Sequence, residues 1–521
     1  MAQPSMAQPA QRCYDCVVVG AGNGGLGAAA QLAAKGANVL LLEQHNLPGG
    51  FASSFVRGRF EFETAMHLVA DVGPPSNRGS VRAFLEDEVG VHLDWTEIPE
   101  AYRLIFTDPG QELDVTIPYG REAYIDAIER QVPGSREAVS RYVDLFMQVV
   151  EALAYLGASR GNPDRKVLFS KYLNFLKTTP YSVNRVADAL KVPKRAQDIV
   201  HAPWVYIGTP TDRMNFTVFA GMMAKLIAFS AYIPKHRSHE LTTALASRVR
   251  ELGGETQFNT RVQQILIEDG RVTGVVTSQG QSIATRHVIC NASSALTYNR
   301  LIHPPSEVPA VAYQESNART FNVSAVTVYL GLDASPDELG LDTYSCFIVA
   351  NGDTEAIYRT FGTLETPKAQ ASACLNRALP DCSPPGTTIL YITTLYRPEA
   401  WTGVRPEDYQ QVKNQVAGGL IDDFERATGT SIRPHIEEIE VATPVTYARY
   451  TGTHGGTIYG YEPDSWDSLV PRMMAMSEEK RIEGLEFCGG YAFRCHGYSS
   501  SLMSGQVAGL LTWRDLMAER G

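Results

Sequence analysis

Residues 15–43 constrain the fold more than any other stretch. Four β-forming residues, 16–19, run into Gly20-x-Gly22-x-x-Gly25; a small-residue helix is expected over 26–35; after Gly36 a second apolar run, 39–42, ends in Glu43. Strand, glycine turn, helix and second strand in this order make the βαβ unit that binds dinucleotides. Gly20 permits the tight turn, Gly22 lets backbone approach a pyrophosphate, and Gly25 lets helix and strand pack closely. The helix N-terminus then offers unpaired N–H groups and a partial positive charge to phosphate. Glu43, eighteen residues beyond Gly25, can take a ribose hydroxyl pair and argues against a phosphorylated ribose such as that of NADP.

The chain has 521 residues, enough for two or more domains or a large interleaved pair. Its net charge of −11 disfavours nucleic acid or an anionic membrane as partner of the whole surface. A peripheral membrane contact through a local patch stays open. The eight cysteines are scattered and form no disulfide framework. Cys13-x-x-Cys16 is the only close pair, and Cys16 reads as a packed strand residue. Residues 1–13 lack a basic and then apolar leader and read as a disordered tail. Together these point to the cytoplasmic side of the cell, either free or at a membrane surface. Residues 203–233 are the most apolar part, with a long helix expected over 216–233. Lys225 near its centre argues against a membrane span, since a central lysine costs several kcal/mol there. A core helix, the wall of an apolar tunnel and a helix dipping into a membrane surface remain.

Beyond Glu43, Gln44 leads to Pro48-Gly49-Gly50, a glycine turn followed by the hydroxyls of Ser53 and Ser54, suited to a second backbone approach to the same ligand. Phe62-Glu-Thr-Ala-Met-His67 then ends a strand-like run. In this order the motifs resemble the opening of the phytoene desaturase-like flavoproteins, nearest their carotenoid isomerase and retinol saturase branch. The resemblance extends to residues 205–292 and 443–515. It implies FAD as cofactor, with Gly20, Gly22 and Gly25 at the pyrophosphate, Glu43 and Gln44 at the adenosine ribose, and Gly49, Gly50 and Ser54 along the cofactor. It also implies Val262 holding the adenine through its backbone, and Gly489, Gly490, Gly497 and Ser504 near the flavin. Two loops depart from the family. His236-Arg237-Ser238-His239 stands where relatives carry Gly-Gly, and Phe493-Arg494-Cys495-His496 replaces a proline-glycine loop.

The expected fold class is α/β: a Rossmann-like FAD-binding domain interleaved with a substrate domain of mixed sheet and helices. The cofactor domain takes residues 14–75, 235–295 and 445–515, and the substrate domain 76–234 and 296–444. Oligomeric state is left open. The resemblance implies oxidation or reduction of a CH–CH bond in a long apolar polyene or isoprenoid-like molecule, by hydride transfer at the flavin. The alternatives are a redox-neutral cis-trans isomerase using reduced FAD, an amine-oxidising flavoprotein, and a non-catalytic binder like the GDP dissociation inhibitors. His67, His236, Arg494 and His496 are the candidates for handling protons, histidine being the natural acid–base group near neutral pH. His239 could cap the helix that follows it. The sequence carries no Ser-His-Asp order and no metal-ligand cluster.

Overall fold

The computed structural model describes residues 13–65, 67–159, 163–365, 367–467, 481–492 and 496–521. Its first sheet is parallel throughout, in the order Glu255–Gln257, Val39–Leu42, Cys16–Val19, Val288–Cys290, Leu485–Phe487. Segments more than 450 residues apart in the chain thus lie two strands apart in the sheet. Every residue of Cys16–Val19 and Val39–Leu42 is buried. Both faces of these strands are covered, which is why they read as unbroken apolar runs rather than alternating ones. The helix Asn23–Ala34 starts at the glycine turn, three residues before the expected 26, because Gly22 with its extended backbone serves as N-cap. It packs on the last helix, Tyr498–Arg520, with little room between them. A Cβ on Gly27 would stand 2.6 Å from the Leu502 carbonyl oxygen, and one on Gly505 would stand 2.8 Å from the Ala28 nitrogen.

A second, seven-stranded sheet runs Ile436–Ala442, Ser324–Leu332, Thr388–Tyr396, Ala369–Cys374, Ser345–Val349, Tyr102–Phe106, Leu113–Ile117. It is mixed, as expected. Only Ser345–Val349 and Tyr102–Phe106 pair in parallel, and the other pairs are antiparallel. One face buries Val328, Leu330 and Ile392 against Leu420 and Phe424 of the helix Tyr409–Thr428. The other joins the core of a helical block that includes Arg121–Gln131, Arg136–Ala158 and Phe216–Phe229. The hairpin expected at Asp269-Gly270 is present between Val262–Glu268 and Arg271–Thr277, and both turn residues have positive φ, 50° and 74°.

Two expectations are corrected. The apolar stretch 216–233 is not one helix. It ends at Phe229, Ser230 turns into the left-handed region at φ 57°, and Ala231–Pro234 becomes the central strand of a three-stranded sheet between Val69–Ala70 and Trp95–Glu97. Tyr232 and Ile233 are strand formers and Pro234 cannot continue a helix, so the β preference wins there. The tail expected over 1–13 lies outside the described residues except for Cys13, whose carbonyl accepts a bond from the Asn38 side chain at 2.9 Å. Cys16 is fully buried in the sheet, and burial pushes its thiol up. Among the described residues no helix is long and apolar enough to cross a membrane, and no acid, histidine or cysteine cluster could hold a metal.

Candidate active site

The C-terminal ends of the parallel strands open into a cavity of about 770 Å³ that runs on between the second sheet and the helical block. Its first end is built from backbone. Gly20, Gly22 and Gly24 form one wall, Gly49 and Gly50 a second, and Gly489 and Gly490 a third. The Gly49 N–H donates to the Ala21 carbonyl at 2.7 Å, so the second glycine loop is stitched to the first. Asn291, at the end of Val288–Cys290, fills the space behind the turn. A Cβ on Gly22 would come within 2.6 Å of its Nδ2, and a Cβ on Gly25 would collide with the Gly20 carbonyl. Gly25 therefore acts through packing and does not line the cavity. Two helix N-termini face this end, those of Asn23–Ala34 and Tyr498–Arg520. Their N-cap residues are Gly22 and Gly497, neither of which supplies a side-chain cap. Uncapped N–H groups beside a glycine cradle are what a pyrophosphate needs.

Glu43 is buried at the cavity wall. Its Oε2 accepts from the Ala21 N–H at 2.6 Å and its Oε1 from the His45 N–H at 2.9 Å. Each oxygen keeps a further acceptor position, which suits a ribose diol. Gln44 and Val262 line the same end, with the Gln44 amide 3.3 Å from the Tyr450 carbonyl. These residues fit an FAD: a cradle only glycine can form, an acid at the sugar position, and a glycine turn at Gly489 held by the Ser504 hydroxyl, which accepts from its N–H at 2.7 Å.

The other end is built from side chains. Tyr206, Tyr329, Tyr391, Tyr447, Tyr459 and Tyr498 line it, with Val150 and Leu153 from Arg136–Ala158 and Met222 from Phe216–Phe229. Burial raises the ionisation of all six phenols, so they stay neutral. Lys225 explains itself here. Val218, Gly221, Met222 and Lys225 follow the helical repeat and are the stripe of this helix that meets the cavity. The Lys225 ammonium donates to the buried Asp71 carboxylate at 2.5 Å, and Asp71 in turn caps Ser80–Ala83 by accepting from the Ser80 N–H at 3.1 Å.

The proton-handling candidates separate. His67 and His496 both line the cavity, and burial lowers each to about 4. The His496 ring stacks on Tyr459 at 4.4 Å between centroids, and its Nε2 lies 3.2 Å from the Tyr206 carbonyl. A carbonyl only accepts, so Nε2 carries the hydrogen and Nδ1 is bare. Both rings are neutral at physiological pH. His236 is a correction: it is exposed, does not line the cavity, and occupies the N-cap position of Arg237–Glu251. Its N–H donates to Glu240 at 2.8 Å. The cap expected of His239 falls to this position instead. Ser54 is a second correction, because its hydroxyl donates to Glu61 at 2.5 Å and it lies off the cavity wall. Ser504 too stands behind the wall. Arg494 lies outside the described residues.

Sequence reasoning missed Glu63. Phe60–Glu63 alternates, so Phe60 and Phe62 enter the core while Glu61 and Glu63 share the other face. Glu63 is 1% exposed at the cavity wall, its Oε2 accepting from the hydroxyl and N–H of Ser238. Burial pushes its carboxyl up to about 7, against the lowering by Ser238 and Arg237. The signal was there: two acids on one strand face, and a polar loop, 236–239, where the resemblance implies glycine. Arg237 keeps the left-handed backbone suited to glycine, with φ 67°, and pairs with Glu61.

Two family models match the chain: an NAD(P)-binding Rossmann-like domain over residues 18–87 and an FAD dependent oxidoreductase over residues 230–432. The all-trans-retinol 13,14-reductase of Rattus norvegicus is 23% identical, over 92% of this chain and 83% of its own length. The prolycopene isomerase of Daucus carota is 25% identical, over 98% of this chain and 81% of its own. Among solved structures, an oxidoreductase from Methanosarcina mazei aligns with a TM-score of 0.62 at 16% identity, covering 96% of this chain and 99% of that one. Putrescine oxidase bound to putrescine gives a TM-score of 0.62 at 14% identity, over 97% and 99%. The chain is an FAD-dependent oxidoreductase. The relatives named here, a retinol 13,14-reductase and a prolycopene isomerase, are of the two kinds that the sequence motifs resemble.

Proposed function

We propose that the chain adds or removes hydrogen across a carbon–carbon bond of a long apolar substrate of polyene or isoprenoid type. The carrying observation is the cavity, which is continuous from the glycine cradle to a wall of Val150, Leu153, Met222 and neutral tyrosines. Such a wall takes an apolar chain and excludes water, and methionine adapts to its shape. The names of the retinol reductase and prolycopene isomerase relatives support the same substrate class. FAD supplies hydride exchange when bound. Gly20, Gly22, Gly49, Gly50, Gly489, Gly490 and Gly497 would hold it by backbone, with Glu43, Gln44 and Val262 at its adenosine end. Residues 14–75, 235–295 and 445–515 form its domain in this reading, supported by the origin of all five parallel strands in those three segments.

Anaerobic incubation of the holoenzyme with polyenes tests the proposal. A change in flavin absorbance with a product mass shifted by two hydrogens is expected. A product of unchanged mass and altered double-bond geometry would overturn it in favour of isomerisation, and oxidation of amines would overturn it in favour of amine chemistry.

A further inference from the structure

The chain is acidic, with a net charge of −11, yet residues 165–187 contain Arg165, Lys166, Lys171, Lys177 and Arg185 and no acid. All of these cations are exposed, and none forms an ion pair among the described residues. Lys171 and Arg185 lie over the Tyr172 and Tyr181 rings, at 5.2 and 4.7 Å. Between the cations stand apolar side chains that the fold leaves outside. Phe169 is 63% exposed, Leu173 39% and Tyr181 39%. The helix Arg165–Lys171 has no buried residue, whereas Leu173–Thr178 is pinned to the core by the fully buried Phe175. Exposed aromatic and aliphatic side chains among lysines are the pattern of a lipid interface. The apolar groups enter the acyl boundary, and the lysine stems reach back to the headgroups.

This surface stands beside an opening of the cavity. Val150, Leu153 and Ala154 form the stripe of Arg136–Ala158 that lines it, and Ala154 is also exposed. A side chain of one carbon that meets both the cavity and the outside marks the mouth. The next residue, Tyr155, stacks on Tyr172 at 5.4 Å between centroids, and its hydroxyl accepts from the Asp164 N–H at 2.9 Å. The Asn174 side chain donates to Gln148 Oε1 at 3.0 Å. Both short helices are thus tied to the helix that forms the mouth. Phe216–Phe229, the most apolar helix of the sequence, offers no such surface, because its residues other than Ala228 are buried or half-buried.

We propose that Arg165–Lys171 and Leu173–Thr178 dock the protein on a lipid bilayer that carries anionic headgroups, with Phe169 and Leu173 entering the bilayer surface and the cavity mouth turned toward the lipid. Charge complementarity selects both the occupant and the orientation. An anionic surface repels the acidic remainder of the chain and attracts this basic segment, so the molecule approaches by this face. A second copy meeting it face to face would set the same cations against one another. The docking rests on the proposed function only for its use: a polyene is dissolved in the bilayer, and a mouth laid against the lipid takes it up without exposing it to water.

Flotation of the holoenzyme with vesicles tests the docking without a substrate. The protein should float with vesicles of phosphatidylcholine and phosphatidylglycerol, float less with phosphatidylcholine alone, and be released by salt. Lys166→Glu, Lys171→Glu and Lys177→Glu combined should weaken binding to the anionic vesicles more than about 10-fold. Phe169→Ser should weaken it about 3-fold. Flavin content and melting temperature should be unchanged in both variants, because these side chains are exposed. A wild type that floats with neither vesicle, or that floats equally with both, overturns the inference, as does a triple variant that floats like the wild type. A doubled mass without lipid that Phe169→Ser abolishes overturns it in favour of a second copy. In the second arm, the triple variant should turn over a polyene carried in anionic vesicles about 10-fold more slowly, and the same polyene in detergent micelles at the wild-type rate. Equal slowing in both overturns the link between docking and substrate entry. If the wild type converts no polyene from either source, the proposed function falls, while flotation still decides the docking.

Discussion

The two ends of the cavity are built by opposite rules. At the cofactor end the ligand meets backbone, and side chains are excluded: a Cβ on Gly22 or Gly24 would stand 2.6 or 2.5 Å from Asn291 or Gly489. At the substrate end the ligand meets side chains from four or more elements. The first end tolerates almost no substitution and is readable. The second tolerates exchange of one apolar residue for another and is not.

The sharpest way to break this contrast is a matched pair of substitutions. Gly22→Val places branched carbons against the Asn291 amide and at a helix N-terminus. It should cut the flavin bound per protein by more than about 10-fold, read from absorbance of the purified protein. Met222→Leu, at the substrate end, conserves volume and should leave flavin content unchanged and stability within about 1.5 kcal/mol. Equal flavin in both variants would mean that the glycine cradle is not the cofactor site.

Lys225 tests whether the apolar helix depends on its one cation. Lys225→Met leaves the Asp71 carboxylate, 2% exposed, without its partner, and should destabilise the protein by about 3 kcal/mol in denaturant melts. Asp71→Asn added to it should restore much of that loss, because the helix-capping acceptor survives without a buried charge. A single variant as stable as the wild type would show that the pair is only a surface contact along the cavity.

Glu63 gives a pH-dependent effect with a definite sign. Its ionisation rises from the usual 4.5 to about 7 on folding. The folded chain therefore holds its proton more tightly than the unfolded chain, and stability falls as pH climbs from 4.5 to 7, then stays at the lower level. Glu63→Gln removes that loss. Its melting temperature should match the wild type below pH 4.5 and exceed it above pH 7, by an amount equivalent to about 3 kcal/mol, the Arg237 contact being already contained in the shift. A difference independent of pH would mean that folding leaves the Glu63 ionisation unshifted.

How far the sequence could be read follows from the same contrast. Gly20, Gly22, Gly25 and Glu43 sit in one short βαβ unit, so spacing alone places them, and the structure brings Gly49, Gly50, Val262 and Gly489 to the same cavity. The helix expected to run to residue 233 breaks at Ser230, because strand pairing with Val69–Ala70 and Trp95–Glu97 is a tertiary fact that local apolarity cannot signal. Glu63 was hidden for a related reason. An acid in a strand looks solvated, and its burial is decided by a helix start at Arg237, 174 residues away. Lys225 was visible as an oddity in an apolar helix, but its partner Asp71 lies in a distant loop. Polar residues buried by tertiary contacts carry no local pattern.

His236 gives the smallest predicted effect and the finest distinction. From sequence it and His496 are equal candidates, each in a loop that departs from the family. The structure separates them by position: the His236 side chain is exposed, and only its backbone N–H bonds to Glu240, whereas the His496 ring is buried against Tyr459 at the cavity wall. His236→Ala keeps the backbone bond and should change stability by less than about 0.5 kcal/mol, with flavin content and turnover unaltered. His496→Ala removes a buried ring and its bond to the Tyr206 carbonyl, and should cost about 2 kcal/mol. If His236→Ala lost activity while His496→Ala did not, the helix start would reach the substrate by its exposed side, and the cavity would have to be redrawn to include it.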